Sequence, residues 1–227
     1  MATHLRETMA AQTAADICAD IAAGLDADSE TKDLAPLWDA LAVKGDGLAA
    51  SRRTFERTLG RARARVGVLD VVWDFDAGAF ARDVLNESHG RRDEAPNTRF
   101  FAKVPASEAQ SFGIAREVEQ GRAWIQELGR DPSEALADRW IPRLTKSTDA
   151  LEMAGKDRSA AMSPLAMHGM TEVLYVEEIN IELDKLEGTL KQRFPRQPKR
   201  IAAYVDPTKP KRSRKDEDEG SGESSGE

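Results

Sequence analysis

Apolar residues recur every seven positions through the first third of the chain. One row is Leu34, Leu41, Leu48, Phe55, Ala62 and Leu69. A second is Trp38, Gly45, Arg52, Leu59, Val66, Trp73 and Phe80. The rows stand three and four residues apart, which is the spacing of a helix packed lengthwise on other helices. This pattern predicts one long helix over 34–85. Asp33 is positioned to cap it, and Pro36 falls in its first turn, where a missing donor costs nothing. Gly45-Asp46-Gly47 and Gly60 are its weak points, and a break or bend is expected at the Gly-Asp-Gly.

The same spacing predicts the other elements. Residues 3–23 form a first helix, with Leu5, Met9, Ile17 and Ile21 on one side and Gly24 as its stop. The stretch 91–105 reads as a loop, with Pro96 and Pro105. Ser107 is expected to cap a helix reaching Leu128 and ended by Gly129. Asp131-Pro132 should turn the chain into a segment over 133–154, with Leu136, Trp140, Leu144 and Leu151 inside and a kink at Pro142. A looser interval over 155–163 precedes a last helix opened by Ser163-Pro164. That helix runs to Phe194 on the seam Val176, Ile179, Leu183, Leu186 and Leu190. Trp38, Trp73, Trp124 and Trp140 fall largely on these seams and read as core or interface anchors.

These elements predict an all-α fold: an elongated antiparallel helical bundle of four to five helices over 1–195, with one or two long helices. Residues 196–205, containing the apolar island Ile201-Ala-Ala-Tyr-Val205, are expected to be an extended strap or docking segment. Residues 206–227 carry no apolar residue and read as a disordered charged tail.

Composition narrows the function. Charged residues make up 32% of the 227 and aromatics 6%, a balance that suits helices with narrow apolar seams and broad solvated faces. The net charge of -7 repels nucleic acid and anionic lipid, so any such binding must come from a local patch. No apolar run approaches the roughly 20 residues a membrane span needs. The single cysteine, Cys18, rules out an internal disulfide and fits a cytoplasmic protein. It lies on the apolar edge of its helix without a base or a second thiol, so a buried core role is expected.

Candidate chemistry is sparse. A di-iron bundle needs Glu-x-x-His motifs, but His4, His89 and His168 are the only histidines and none has a carboxylate three residues before it. No nucleophile elbow, phosphate loop or dinucleotide fingerprint is present. The chain is therefore expected to be non-enzymatic, with no catalytic residue, cofactor or metal ligand and no evident small-molecule substrate. An enzyme site built from dispersed carboxylates is the remaining alternative.

The sharpest chemical feature is basic. Between Ser51 and Arg65 there are six arginines and one glutamate, and Arg53, Arg57, Arg61 and Arg65 recur every four residues on one helical stripe. Arginine forks suit carboxylates and phosphates. The stripe is the candidate partner-binding site. The plainer expectation is that Glu172, Glu177, Glu178, Glu182 and Glu187 of the last helix neutralise it. A basic block at 209–215 precedes the acidic run 216–219 in the tail. The expected function is an interaction or assembly protein, binding a protein partner or itself. The alternative is a nucleic-acid-associated protein using the stripe and the basic tail.

Overall fold

The computed structural model describes residues 3–130 and 134–208. The fold is all-α, with no strand among the described residues. The helices are α1 (Ala11–Asp26), α2 (Ala35–Glu87), α3 (Asn97–Phe101), α4 (Ala106–Ala109), α5 (Ile114–Leu128), α6 (Glu134–Arg193) and α7 (Pro198–Val205), with 3-10 turns at Lys32–Leu34 and Asp206–Thr208. Among these residues no helix is long and apolar enough to cross a membrane. Of the tail expected over 206–227, Asp206–Thr208 form a 3-10 turn and 209–227 lie outside the described residues, as does the expected turn at Asp131-Pro132.

Where the sequence predicts a single bundle over 1–195, the buried residues form two separate cores. One belongs to the compact unit Met1–Ser51 with Gly169–Glu227, the other to Arg52–His168. Helices α2 and α6 each supply a segment to both.

In the first unit, α1 presents Ala11, Ala14, Cys18, Ile21 and Leu25 to Trp38 and Leu41 of α2 and to Val176, Ile179, Leu183 and Leu190 of α6. The alanines on α1 let the helices come close. A Cβ added to Gly45 would lie 2.7 Å from Ala15 Cβ and 2.8 Å from Tyr175 Cζ, and closer still to the Tyr175 hydroxyl. The expected break at Gly45-Asp46-Gly47 is absent for this reason: Gly45 is where a neighbour fits, and α2 runs through it. Tyr175 Oη donates to the Leu41 carbonyl at 2.7 Å.

Two further expectations are corrected here. The first helix begins at Ala11, not at residue 3. Asn180 holds both backbone groups of Leu5, accepting from its N–H at 2.7 Å and donating to its carbonyl at 3.0 Å, which replaces the helical bonds of that stretch. The strap over 196–205 is not extended: Pro198 starts a helix that buries Ile201, Tyr204 and Val205, spaced three and four apart. Arg200 ties α7 to Asp28 and Glu30. After α7 the Thr208 hydroxyl accepts from Thr3 N–H at 3.1 Å.

In the second unit, α2 and α6 lie antiparallel. Phe55 meets His168, Arg65 meets Asp157, Trp73 meets Thr148 and Asp83 meets Arg139. Helix α5 completes the core. Trp73 and Trp124 stack with ring centroids 5.7 Å apart, and Phe80 touches Phe100, Phe101, Trp124 and Trp140. Gly121 on α5 allows this closeness, since a Cβ there would meet the Thr148 side chain and sit 3.1 Å from Trp73 Nε1.

The loose interval expected over 155–163 is helical, and α6 passes through both Pro142 and Pro164. Each proline removes one backbone donor. Both are exposed, where water can serve the carbonyl left over. The helix expected to start at Ser107 is divided: α4 follows Pro105, and α5 begins after Gly113.

Candidate interaction face

Between Arg52 and Val68 only Leu59 and Val66 of α2 are buried, at 5% and 7% exposure. Phe55 and Ala62 are half-buried and the remaining side chains face water. This stretch therefore keeps a narrow inner seam, Leu59 and Val66 flanked by Phe55 and Ala62, and presents the rest of its circumference to solvent. Facing it in the second unit is the 155–168 part of α6.

The arginines lie on this open circumference. Arg53, Arg57, Arg61 and Arg65 are all exposed. Arg65 pairs with Asp157 at 2.9 Å, and Arg52 with Glu56 at 2.9 Å. Arg57, Arg61 and Arg63 form no ion pair among the described residues.

Three of the five glutamates expected to neutralise the stripe are engaged in the first unit. Glu178 pairs with Lys44, Glu182 with Lys185 at 2.7 Å, and Glu187 with Lys191 at 2.7 Å. The facing helix adds Lys156 and Arg158 against Asp157. Residues 52–68 and 155–168 together hold eight cationic side chains and two carboxylates, a net charge of +6 in a chain whose total is -7. Arginines this close raise a local positive potential that an anionic partner relieves.

Toward its C-terminal end the same face turns apolar. Val68, Val71, Val72 and Phe75 are 65%, 66%, 44% and 62% exposed. In the sequence these four are overshadowed by the inner seam through Leu59, Val66, Trp73 and Phe80, which accounts for the heptads, and their own spacing of three and four is the signal that marks them.

A second feature unseen in the sequence is a carboxylate cluster inside the unit. Glu117 of α5 is 2% exposed and meets Asp70 and Asp74 of α2. Burial, then the hydrogen bond to Asp70 and the charges of Asp70 and Asp74, push Glu117 up to about 8. Burial also raises Asp74. Asp74 Oδ1 and Glu117 Oε2 are buried without a hydrogen-bond partner. The arrangement favours the protonated form of Glu117. No group of three or more His, Cys, Asp or Glu among the described residues has the geometry to hold a metal ion.

The other chemistry-bearing residues do not converge. His4 pairs with Asp184 at 2.9 Å, and His168 packs on Phe55 at 5.4 Å. Cys18 is fully buried, and burial pushes its thiol up to about 11, so it is not a thiolate at neutral pH. No family model, curated protein or solved structure matches the chain.

Proposed function

We propose that the protein is a non-enzymatic interaction module that binds an acidic partner through the basic face of its second unit, with Arg53, Arg57, Arg61 and Arg65 of α2 at the centre. The observation that carries this reading is the concentration of eight cations against two carboxylates on two exposed helical stretches of an otherwise acidic chain. A solvated face of an acidic protein has no need to gather its cations in one place, and like charges at four-residue spacing destabilise a helix slightly. A partner's carboxylates offset that cost. The lone buried thiol suits a reducing compartment such as the cytoplasm.

The test replaces the four stripe arginines with glutamine. Binding of a fluorescent poly-L-glutamate is measured by anisotropy at low and at moderate salt. The full chain is expected to bind at low salt, to weaken as salt rises, and to lose at least tenfold in affinity in the fourfold variant. Equal binding by both proteins sinks the proposal.

A nucleic-acid partner is the second reading. It is favoured by the choice of arginine over lysine across the stripe, since the guanidinium fork grips phosphate bidentately. A single-stranded RNA oligonucleotide run beside the polyglutamate separates the two. Preference for RNA with a steep salt slope selects this reading.

A further inference from the structure

Helix α2 carries two seams in the second unit, and the core uses one. The inner seam passes through Leu59, Val66, Trp73 and Phe80, all buried. On the opposite side of the helix, Arg57, Arg61, Ala64, Val68, Val71 and Phe75 follow one another at intervals of four and three, and each is exposed. That alternation is the spacing at which a second α-helix keeps continuous contact along the first. From Arg57 to Phe75 the seam spans roughly 27 Å at 1.5 Å per residue. Its N-terminal end is cationic and its C-terminal end apolar.

We infer that this outer seam of α2 seats one α-helix of an acidic protein partner, apolar over two turns and bearing Asp or Glu where it passes Arg57 and Arg61. The inference rests on the reading of the basic face as a partner surface and narrows the partner from any polyanion to a helix.

Charge complementarity selects this occupant. Arg57 and Arg61 have no ion-pair partner among the described residues, so carboxylates brought by a ligand meet unengaged guanidinium groups. A polynucleotide would satisfy the arginines and leave Val68, Val71 and Phe75 in water. A second copy of this chain would cover the apolar end and leave the arginines unserved. Laid parallel in register, Arg57 and Arg61 meet their own copies. Laid antiparallel about Val71 and Val72, Arg61 falls opposite Arg82. Only a helix that is apolar at one end of the contact and acidic at the other matches both halves.

The probe is a blocked synthetic peptide of about three and a half heptads, the length that spans the seam with a turn to spare. It carries Leu at the seam positions of two heptads and Glu at those of the remainder. A twin carries Gln for Glu. Anisotropy is read against the full chain, with poly-L-glutamate and the RNA oligonucleotide measured alongside. The acidic peptide is expected to bind at least tenfold tighter than its twin. Arg57→Gln with Arg61→Gln should weaken it at least tenfold. Val71→Asn with Phe75→Ser should also weaken it at least tenfold while leaving polyglutamate binding within twofold. These substitutions are on the surface, so unchanged melting temperatures accompany the expected result.

Peptide affinity that ignores Val71→Asn with Phe75→Ser overturns the inference. So does binding of polyglutamate or RNA without binding of the peptide, and in that case the basic-face reading survives. Light scattering that finds a dimer abolished by the same pair of substitutions overturns it in favour of a second copy. If none of the three probes binds, the basic-face reading falls together with the inference.

Discussion

Gly45 and Gly60 lie on the same helix, and their surroundings differ completely. A side chain at Gly45 would collide with Ala15 and Tyr175, whereas nothing stands within 4 Å of one at Gly60. The first glycine is present because two other helices press on α2 at that point. The second sits among exposed arginines with open space beside it. Glycine costs a helix about 1 kcal/mol relative to alanine wherever it falls. At Gly45 close packing offsets that cost, and at Gly60 nothing in the fold does. The lesson extends to the whole of α2: the stretch over 35–51 is shaped by what it packs against, and the stretch over 52–68 is shaped by what faces solvent.

The largest effect expected from this contrast is at Gly45. Gly45→Ala gains helix propensity but must displace Tyr175, whose hydroxyl is bonded to the Leu41 carbonyl and whose ring is buried. Overpacking of this kind typically costs about 1–3 kcal/mol. Urea denaturation should show a lower midpoint for Gly45→Ala. A midpoint equal to or above that of the natural chain would mean that α1 and α6 give way easily there, and the contrast between the two glycines would disappear.

Much of the fold was legible because seams are local patterns. The positions that repeat every seven residues on α2 include the buried Leu41, Leu59, Val66, Trp73 and Phe80, and the seam read on the last helix is buried at Val176, Ile179, Leu183, Leu186 and Leu190. All four tryptophans are core residues as expected. Continuity was not legible. Propensity alone argues for breaks at Gly45-Asp46-Gly47 and Pro164; close packing overrides it at Gly45, exposure of the freed carbonyl to water tolerates it at Pro164, and a window of sequence contains neither. The helix Pro198–Val205 was readable in principle, since Ile201, Tyr204 and Val205 have helical spacing, but a short apolar island between prolines also fits a strap.

The arginine stripe was visible, and its electrostatic setting was not. Which carboxylates face it depends on the antiparallel register that brings Asp157 to Arg65, and single residues do not encode that register. Glu117 was invisible for the same reason. It becomes chemically distinct only when Asp70 and Asp74 arrive from another helix.

That carboxylate cluster gives a separate prediction, read as a pH dependence, and it concerns the second unit. In the unfolded chain Glu117 ionises near its ordinary value of 4.5, whereas in the fold it holds its proton up to about 8. The protonated form is the one the fold favours. Its contribution is therefore complete below pH 4.5 and is lost as pH rises through about 8. Stability should decline across this window with a slope on the order of 1 kcal/mol per pH unit. Glu117→Gln, which keeps the shape and removes the charge, should flatten the decline. Melting temperatures taken from pH 5 to pH 9 test this, and parallel curves for the two proteins would show that Asp70 and Asp74 do not press on Glu117 as described.

The smallest expected effect has the opposite sign to the first. Gly60→Ala places a methyl group in open space on the exposed side of α2. It should stabilise the chain by about 0.5–1 kcal/mol, through helix propensity and the reduced freedom of the unfolded chain. Because Gly60 adjoins Arg61 and Leu59, the same variant also probes whether the basic stretch behaves as regular helix in solution. A gain in the urea midpoint with polyglutamate binding unchanged means that the arginines already stand on regular helix and that alanine only firms it. A gain in stability with weakened binding means that the stripe needs the give that glycine supplies, so that the uncovered part of α2 is tuned for its partner at the expense of its own helix. A loss of stability would place a neighbour where the structure has open space, and the comparison with Gly45 would no longer hold.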